Sequence, residues 1–229
     1  MDYNKLFGYR KIEMSHVMSK KPKFMVKQFC LLFVGLCLAT HTHAQAWKDS
    51  VEVFREKYKK AFLEEANSPL KANDLQYLQF FEPDSSYQVV GNFSKISDGT
   101  IFKFPTSNGK IKEYVKYGEV SFEIHGKALK LNIYRSLALL QIPRYRDYLF
   151  IPVKDQTSGK ETYGAGRYLD ASAKDIKDGK IALDFNKLYN PYCAFSEGYS
   201  CPIPPKENHL PVRIEAGEKL FLKEKSNNH

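Results

Sequence analysis

The side chains that could do chemistry are concentrated in the C-terminal third of the chain, in segments that otherwise predict core strands and tight loops. One interpretation is a pocket at the mouth of a barrel, in which Arg167 binds an anion between tyrosine walls. The other is structural, with buried arginine–carboxylate pairs and asparagine–backbone hydrogen bonds that hold proline-rich loops. Both remain open, and the structural one is favoured. The candidate residues are Tyr163, Arg167, Tyr168, Asp170, Asp184, Asn186, Tyr189, Asn190, Asn208, Arg213 and Glu215.

Catalysis is the weaker interpretation of these residues, because no nucleophile, base and orienting acid stand at a recognised spacing. A hydrolase-like enzyme would use Asp184 or Glu215 as its acid or base, with Arg167 stabilising charge on the substrate. The glycines of segment 164–166 do not complete a dinucleotide fingerprint, since Leu169 stands at the third glycine position. Glycines in a strand more often indicate a close backbone approach, and no cofactor is predicted.

The first 46 residues predict a secretory signal. An uncharged apolar run of 11 residues, 29–39, follows four lysines between positions 20 and 27, and alanines at positions 44 and 46 favour cleavage before Gln45 or Trp47. A start at Met18 or Met25 would give this signal an ordinary length. A spanning helix needs about 20 apolar residues, so the run is too short for a stable membrane anchor. We therefore expect an exported protein, either periplasmic or extracellular.

Much of the positive charge belongs to this segment. Removing residues 1–46 takes away seven Lys/Arg and two Asp/Glu, and the formal charge falls from +9 to +4. Lysines and glutamates are interspersed along the remainder, without a basic block that could follow a phosphate backbone. We therefore expect no nucleic-acid partner. The partner remains an unknown small molecule or a protein of the cell envelope.

The spacing of apolar residues predicts the elements that must position the candidate side chains. Positions 47, 51, 54, 58, 61 and 62 share one face of a helix that should end near Asn67. After residue 83 the period changes to two. Asn108-Gly109 favours a hairpin turn, and the clearest hairpin joins 120–124 to 129–134 through a turn at Gly126-Lys127. Further predicted strands are 148–153, 162–169, 181–185, 212–215 and 219–223. The predicted fold of residues 47–229 is one mainly β domain (β-rich α+β), an antiparallel barrel or sandwich-like sheet with an N-terminal amphipathic helix.

Ordered motifs along the C-terminal half resemble one protein family. They are D-x-T-S-G at 155–159, T-Y-G-x-G-R-Y-L at 162–169, D-F-N-x-x-Y-N-P at 184–191, C-P-x-P-P at 201–205 and A-G-E-K at 216–219. In these motifs the chain is similar to the bacterial domain-of-unknown-function family 1684, and its earlier segments resemble the shorter, secreted branch of that family. Tyr192 departs from the pattern, which has a second proline there, and this leaves the following loop less rigid. The resemblance supports the fold prediction and implies no activity.

Cys193 and Cys201 are the two cysteines that remain once the predicted signal is removed, and they enclose seven residues of a proline-rich segment. In an oxidising compartment this pattern favours an intrachain disulfide. One alternative is a zinc site built from both thiolates and His209, although the spacing matches no familiar metal motif. Free thiols, including a reactive nucleophile, are the other alternative. No metal is predicted.

We expect, then, a non-catalytic exported module that binds a small molecule or a partner through the face built by residues 163–215. The hydrolase-like enzyme is the rival, and a domain that assembles with a neighbouring envelope protein through an exposed apolar patch is a third possibility. Two carboxylates converging on an open cleft would favour the enzyme, whereas a sealed cluster would favour the module. We also expect Arg167 to be buried beside a carboxylate such as Asp184 or Glu215.

Overall fold

One antiparallel sheet and one amphipathic helix organise residues 45–223, which are the residues that the computed structural model describes. Helix α1 covers residues 45–64, and the four-residue helix α2 covers Leu137–Leu140. The strands are β1 Gln88–Lys95, β2 Ile101–Pro105, β3 Ile111–Ile124, β4 Lys127–Ser136, β5 Tyr148–Val153, β6 Arg167–Ser172 and β7 Lys180–Asp184. The predicted export signal lies outside the described residues, apart from positions 45 and 46 in α1, and it stays a prediction.

The seven strands form a curled half-barrel in the order β6-β5-β4-β3-β1-β7, with β2 also paired to β3. Strand β3 has 14 residues and pairs with β4 from Tyr114 to Ile124. Its other edge is shared, because Ile111–Val115 pairs with β2 and Gly118–Ser121 pairs with β1. Every one of these pairs is antiparallel. The predicted mainly β fold with an N-terminal helix is confirmed.

Two hairpin turns form where the sequence predicts them. Between β3 and β4, His125 and Gly126 adopt positive φ angles of 49° and 74°, which suit the two-residue turn of a right-twisted hairpin. Between β2 and β3, Gly109 has a φ of 79°, and its N–H donates to Thr106 O at 3.0 Å. Positive φ is costly for residues with a Cβ, so glycine at these positions determines where the chain reverses.

Two predicted strands, 212–215 and 219–223, are wrong, because both segments are irregular. The carbonyl oxygens of this region accept hydrogen bonds from a buried arginine side chain instead of from a neighbouring strand. The predicted strand 162–169 also begins late, since β6 starts at residue 167. Local alternation of apolar residues predicted the burial of Val212 and Ile214 correctly, but burial does not require sheet pairing, and Leu222 is exposed.

Side chains alternate along each strand and thereby sort the apolar residues onto two faces of the sheet. One face carries an aliphatic core, in which Leu131, Ile133, Leu149 and Ile151 are fully buried. The other face carries an aromatic cluster whose ring centroids lie 4.7 to 5.4 Å apart. The cluster consists of Phe104, Tyr114, Tyr134, Phe150 and Tyr168. Asp170 shares this aromatic face, because it lies two residues after Tyr168 in β6.

Helix α1 packs its apolar stripe against the loops that border the aromatic face. Val51 and Phe62 are buried, and the Phe62 ring lies 5.4 Å from that of Phe195. The Tyr58 ring lies 5.7 Å from the ring of Tyr189. Burying a large apolar side chain contributes roughly 1.5 to 3 kcal/mol, so these contacts dock the helix. The predicted helix is confirmed and ends at residue 64.

Candidate functional site

Arg167 is sealed inside the protein, with a side-chain exposure of 1%. Its Nη2 donates to Asp155 Oδ2 at 2.9 Å and to the carbonyl of Ile214 at 3.0 Å, while Nη1 donates to the carbonyls of Ala216 and Glu218 at 2.5 and 3.0 Å. Burial lowers the pKa of Arg167 and Asp155 opposes that shift, and an arginine so paired stays protonated. The guanidinium therefore holds the irregular C-terminal segment against β6.

The expected burial of Arg167 is confirmed, but its partner is Asp155 and neither Asp184 nor Glu215. Gly166 explains how the strand approaches so closely: a Cβ there would lie 2.7 Å from the carbonyl oxygen of Val153. Asp155 and Arg167 are 12 residues apart in the sequence, and this spacing gave no local sign of pairing. The two meet because β5 ends at Val153, two residues before Asp155, and Val153 pairs with Arg167 at the start of β6.

Asp184 and Asn186 also have structural roles. Asp184 caps a 3₁₀ turn by accepting from the Asn186 N–H at 3.1 Å, and its other oxygen accepts from the indole N–H of Trp47 at 3.3 Å. The buried Asn186 amide bonds both the N–H and the carbonyl of Asp84, at 2.9 Å each. These contacts connect the end of β7 to α1 and to the segment that precedes β1.

Asn208 joins two strands through its side-chain amide. Its Nδ2 donates to the carbonyls of Asn132 and Pro152 at 2.9 and 2.8 Å, and its Oδ1 accepts from the Asn132 N–H at 2.9 Å. The side chain is fully buried, so these bonds satisfy backbone groups of β4 and β5 that water cannot reach. Asn208 is therefore part of the fold.

Arg213 and Glu215 form an exposed ion pair at 2.8 Å, and Arg213 also pairs with Glu161 at 2.8 Å. Arg167 donates to neither Asp184 nor Glu215, so the three residues of the expected hydrolase site are not assembled. The predicted constellation is thus divided between a sealed cluster, a turn cap and the protein surface.

An open cavity of about 420 Å³ lies between α1 and the aromatic face, and we call it the tyrosine cleft. Its walls carry five aromatic rings, Phe54, Tyr58, Phe62, Tyr189 and Tyr192. Its charged groups are Lys57, Glu65 and Asp170. Of the candidate residues from the sequence, Asp170 and Tyr189 lie here. A neighbouring cavity of about 330 Å³ shares the two rings Tyr189 and Tyr192 and is bordered by Tyr168, Asn190 and Cys201.

Asp170 has one carboxylate oxygen committed to the protein and one that is open. Its Oδ1 accepts from the hydroxyls of Tyr148 and Tyr189, at 2.7 and 2.8 Å. Oδ2 makes no hydrogen bond with any residue in the range 45–223. Partial desolvation by the surrounding rings raises the pKa of Asp170, and the two phenol hydrogen bonds oppose the shift. The residue is nevertheless exposed to solvent, so hydration of the carboxylate limits the shift.

The other hydroxyls of the cleft are also committed. Tyr192 donates to Glu65 Oε2, and Tyr58 donates to Glu218 Oε2 at 2.9 Å. Interactions of this kind fix the rotation of each ring, because the hydroxyl must stay on its acceptor. The cleft is therefore lined by rings of fixed orientation whose hydroxyl hydrogens are already bonded to carboxyl oxygens.

Glu218 lies behind Tyr58 and is completely buried. Besides the Tyr58 hydroxyl, its Oε2 accepts from the Asn190 N–H at 2.7 Å, while Oε1 has no partner among the described residues. Desolvation raises the pKa of Glu218 to about 8, and the hydrogen bonds and Arg167 only partly oppose it. Glu218 is consequently a neutral carboxylic acid at pH 7 that supports Tyr58 from behind.

The remaining candidate residues are structural or lie at the margin of the cleft. Tyr168 is buried and donates to the carbonyl of Pro202 at 2.6 Å. The Tyr163 hydroxyl reaches the carbonyl of Cys193 at 3.4 Å, and Asn190 Nδ2 donates to the carbonyl of Lys219 at 2.8 Å. All three hold the loops that carry the walls.

Sequence reasoning missed four polar groups that shape the cleft: Lys57, Tyr58, Glu65 and Tyr148. Lys57 and Tyr58 lie on α1 and Glu65 directly follows it, about a hundred residues before β6. The one available signal was the aromatic series Phe54, Tyr58 and Phe62 on the helix. It was interpreted as core packing, which holds for Phe62 but leaves Tyr58 facing a cavity.

Cys193 and Cys201 form the predicted disulfide, with their Cα atoms 6.2 Å apart. Both sulfurs are thereby removed from the alternative zinc site, and the His209 ring lies 3.1 Å from the carbonyl of Pro204. Within residues 45–223 no group of three histidine, cysteine or acidic side chains could hold a metal ion. No helix within the same residues has both the length and the apolar character needed to cross a membrane.

Comparisons with known proteins agree with the motifs. The model of a family described as a protein of unknown function, DUF1684, matches residues 73–219. The solution NMR structure of an uncharacterised protein from Haloarcula marismortui is similar, with a TM-score of 0.62 and 29% sequence identity, over 80% of this chain and 99% of that one. No curated protein matches the chain. The family and the fold are therefore shared with proteins to which no activity is assigned.

Proposed function

The chain belongs to the DUF1684 family, and we propose that it is an exported, non-catalytic binding protein whose tyrosine cleft receives a small molecule. We also propose that it belongs to the shorter, secreted branch of the family, which its earlier segments, such as 68–70 and 106–109, resemble. The predicted signal and the Cys193–Cys201 disulfide support export, since disulfides persist in oxidising compartments. The cleft supports the binding role.

The observation that carries the proposal is a preformed concave space with apolar walls and one uncommitted polar atom. Ligand sites are typically clefts of about 300 to 1,000 Å³ in which a few placed polar groups orient the ligand. The tyrosine cleft has about 420 Å³, five ring walls and the open oxygen of Asp170. A concave, walled site of this size suits a small molecule better than the flat surface of an envelope protein.

A hydrolytic role has one observation in its favour, since the two carboxylates Asp170 and Glu65 line the same cleft. Each of them already accepts a phenol hydrogen bond, and the lining residues include no serine, cysteine or histidine. An acid–base pair alone would therefore have to activate water. Turnover of a bound ligand would establish this role in place of binding alone.

A fragment screen followed by NMR tests the proposal. Hits should perturb the ring signals of Tyr189 and Tyr192. Ala61→Trp fills the cleft from α1 and should abolish the perturbation, whereas Val53→Trp on the exposed side of the helix should leave it intact. Hits that bind elsewhere, or that bind equally well to the Ala61→Trp variant, would contradict the proposal.

A further inference from the structure

We infer that the ligand of the tyrosine cleft carries an organic cation, an ammonium or guanidinium group, that is bound by Asp170 Oδ2. The inference rests on the proposed binding function and deepens it by naming the chemical class of ligand. Three independent features of the cleft point to it: its hydrogen-bonding inventory, its ring walls and its charge.

The hydrogen-bonding inventory favours a ligand that only donates. Ionised carboxylates only accept hydrogen bonds, and the hydroxyl hydrogens of Tyr58, Tyr189 and Tyr192 are already committed to Glu218, Asp170 and Glu65. Among the lining side chains, only Lys57 has donor hydrogens that remain available. An ammonium group has donors and no acceptor, so it complements this surface.

A neutral sugar fits the same surface poorly. Each sugar hydroxyl is both a donor and an acceptor, and its acceptor lone pairs would need protein donors within the cleft. Beyond the exposed Lys57, the lining side chains supply none. Aromatic walls alone would accommodate a sugar ring, so the missing donors decide between the two classes.

The ring walls are of the kind that attracts cations. A cation near the face of a tyrosine or phenylalanine ring is stabilised by the negative potential of the ring. Tyr58 is 5.7 Å from Tyr189, and Phe62 is 5.6 Å from Tyr192, so the walls present several rings around one space. The committed hydroxyls hold these rings in place before a ligand arrives, which lowers the entropic cost of binding.

The charge of the cleft has the sign that the inference requires. Asp170 and Glu65 contribute two negative charges, and Lys57 contributes one positive charge from an exposed position on α1. A bound cation would lie in a net negative field at Asp170. Lys57 opposes cation binding and would favour an anion, which makes it a useful reporter of the sign of the ligand charge.

Three probes of similar shape but different charge show whether binding depends on charge. They are 2-phenylethylammonium, 2-phenylethanol and phenylacetate. Each is titrated into the purified protein, and the dissociation constant is taken from calorimetry and from the ring signals of Tyr189. We expect the cation to bind at least about tenfold more tightly than the alcohol, and the anion to bind most weakly.

Two variants assign the effect to its residues. Asp170→Asn keeps an oxygen for the Tyr148 and Tyr189 hydroxyls and replaces the open acceptor by a donor, so it should bring the affinity of the cation down to that of the alcohol. Lys57→Met should increase the affinity for the cation a few-fold and lower the affinity for phenylacetate further. Asp147→Asn is the matched control for Asp170→Asn. It removes the same charge from the surface pair with Lys174 and should alter neither affinity.

Each outcome decides between the inference and the function on which it rests. If the alcohol binds and the cation binds no more tightly, the charge inference is overturned and the binding function stands. Tighter binding of phenylacetate, or a cation preference that survives Asp170→Asn, also overturns the inference. If none of the three probes perturbs the cleft at millimolar concentration, the result counts against the binding function itself.

Discussion

The Arg167 cluster and the tyrosine cleft both contain an aspartate of the same C-terminal region, and the two aspartates are used in opposite ways. Asp155 Oδ1 accepts from the N–H and hydroxyl of Thr157, at 2.7 and 2.6 Å, and Oδ2 accepts from Arg167 at 2.9 Å. Asp170 commits only Oδ1 to other described residues, and its side chain lines the cleft. Both oxygens of Asp155 are therefore hydrogen-bonded within the protein, whereas Asp170 keeps one oxygen as an acceptor for a ligand.

This difference shows that a high density of polar residues does not by itself identify a binding site. Most of the candidate residues satisfy buried backbone groups, as polar side chains in irregular segments commonly do. A binding site is recognised by polar groups that line a cavity and have no hydrogen-bond partner within the protein. Substitutions in the two regions should therefore differ in their effects on stability and binding.

The largest effect is expected at the sealed cluster. Arg167→Ala leaves Asp155 as an uncompensated buried charge and frees three carbonyl groups, and loss of one partner of a buried pair costs about 3 to 5 kcal/mol. Chemical denaturation should show this loss. Arg213→Ala, which breaks an exposed pair, should cost less than about 1 kcal/mol. An Arg167→Ala protein of unchanged stability would contradict the structural role.

The next effect concerns pH and the buried Glu218. The folded pKa is about 8 and the usual value is 4.5, so between these pH values the unfolded chain releases a proton that the native protein retains. The contribution of Glu218 to stability is therefore fully present below pH 4.5 and is lost as the pH rises through 8.

Glu218→Gln should remove this pH dependence while keeping an acceptor for Tyr58 and Asn190. Its free energy of unfolding should exceed that of the wild type at pH 9 by an amount on the order of a few kcal/mol. Thermal and urea denaturation from pH 4 to pH 9 measure the difference, and Glu207→Gln on the surface serves as the matched control. Parallel pH profiles for Glu218→Gln and the wild type would contradict a raised pKa.

A smaller effect is expected at the disulfide. Closing so short a loop stabilises the protein by about 2 to 3 kcal/mol, so the double variant Cys193→Ser/Cys201→Ser should fold with a modest loss of stability. Because this loop borders Tyr192, we also expect weaker binding of fragments in the cleft. Thiol titration of the denatured, unreduced and processed protein should find no free thiol. Two free thiols with stoichiometric zinc would instead support the metal site.

The smallest effect on stability is expected where the effect on binding is largest. Asp170→Asn keeps the acceptor for both phenol hydroxyls at an exposed position, so its free energy of unfolding should change by less than about 1 kcal/mol. Denaturation measured beside Arg167→Ala would then show the contrast between the two aspartate environments. A large loss of stability would mean that Asp170 is structural as well, and the comparison would fail.

Much of the fold could be predicted because its causes are local. The period of apolar residues predicted α1 and the β3–β4 hairpin, and the glycines at 109 and 126 marked the turns. The cysteine pair predicted the disulfide, since the two residues are only eight positions apart. The strand predicted at 212–215 failed because the same periodicity arises when a segment is buried beside a guanidinium, and the one at 219–223 failed because its apolar residues are not buried in the sheet.

The sequence by itself determined the class of fold, the helix, the turns and the region in which polar groups are dense. Only the tertiary structure decided which of those groups remain open, because that depends on partners far apart in the chain. Tyr58 donates to Glu218 across 160 positions, and Tyr192 donates to Glu65 across 127. The local spacing of residues in the sequence does not indicate such pairs. The packing of helix and sheet determines whether a carboxylate is fully hydrogen-bonded within the protein, as in Asp155, or keeps an open oxygen beside a cavity, as in Asp170.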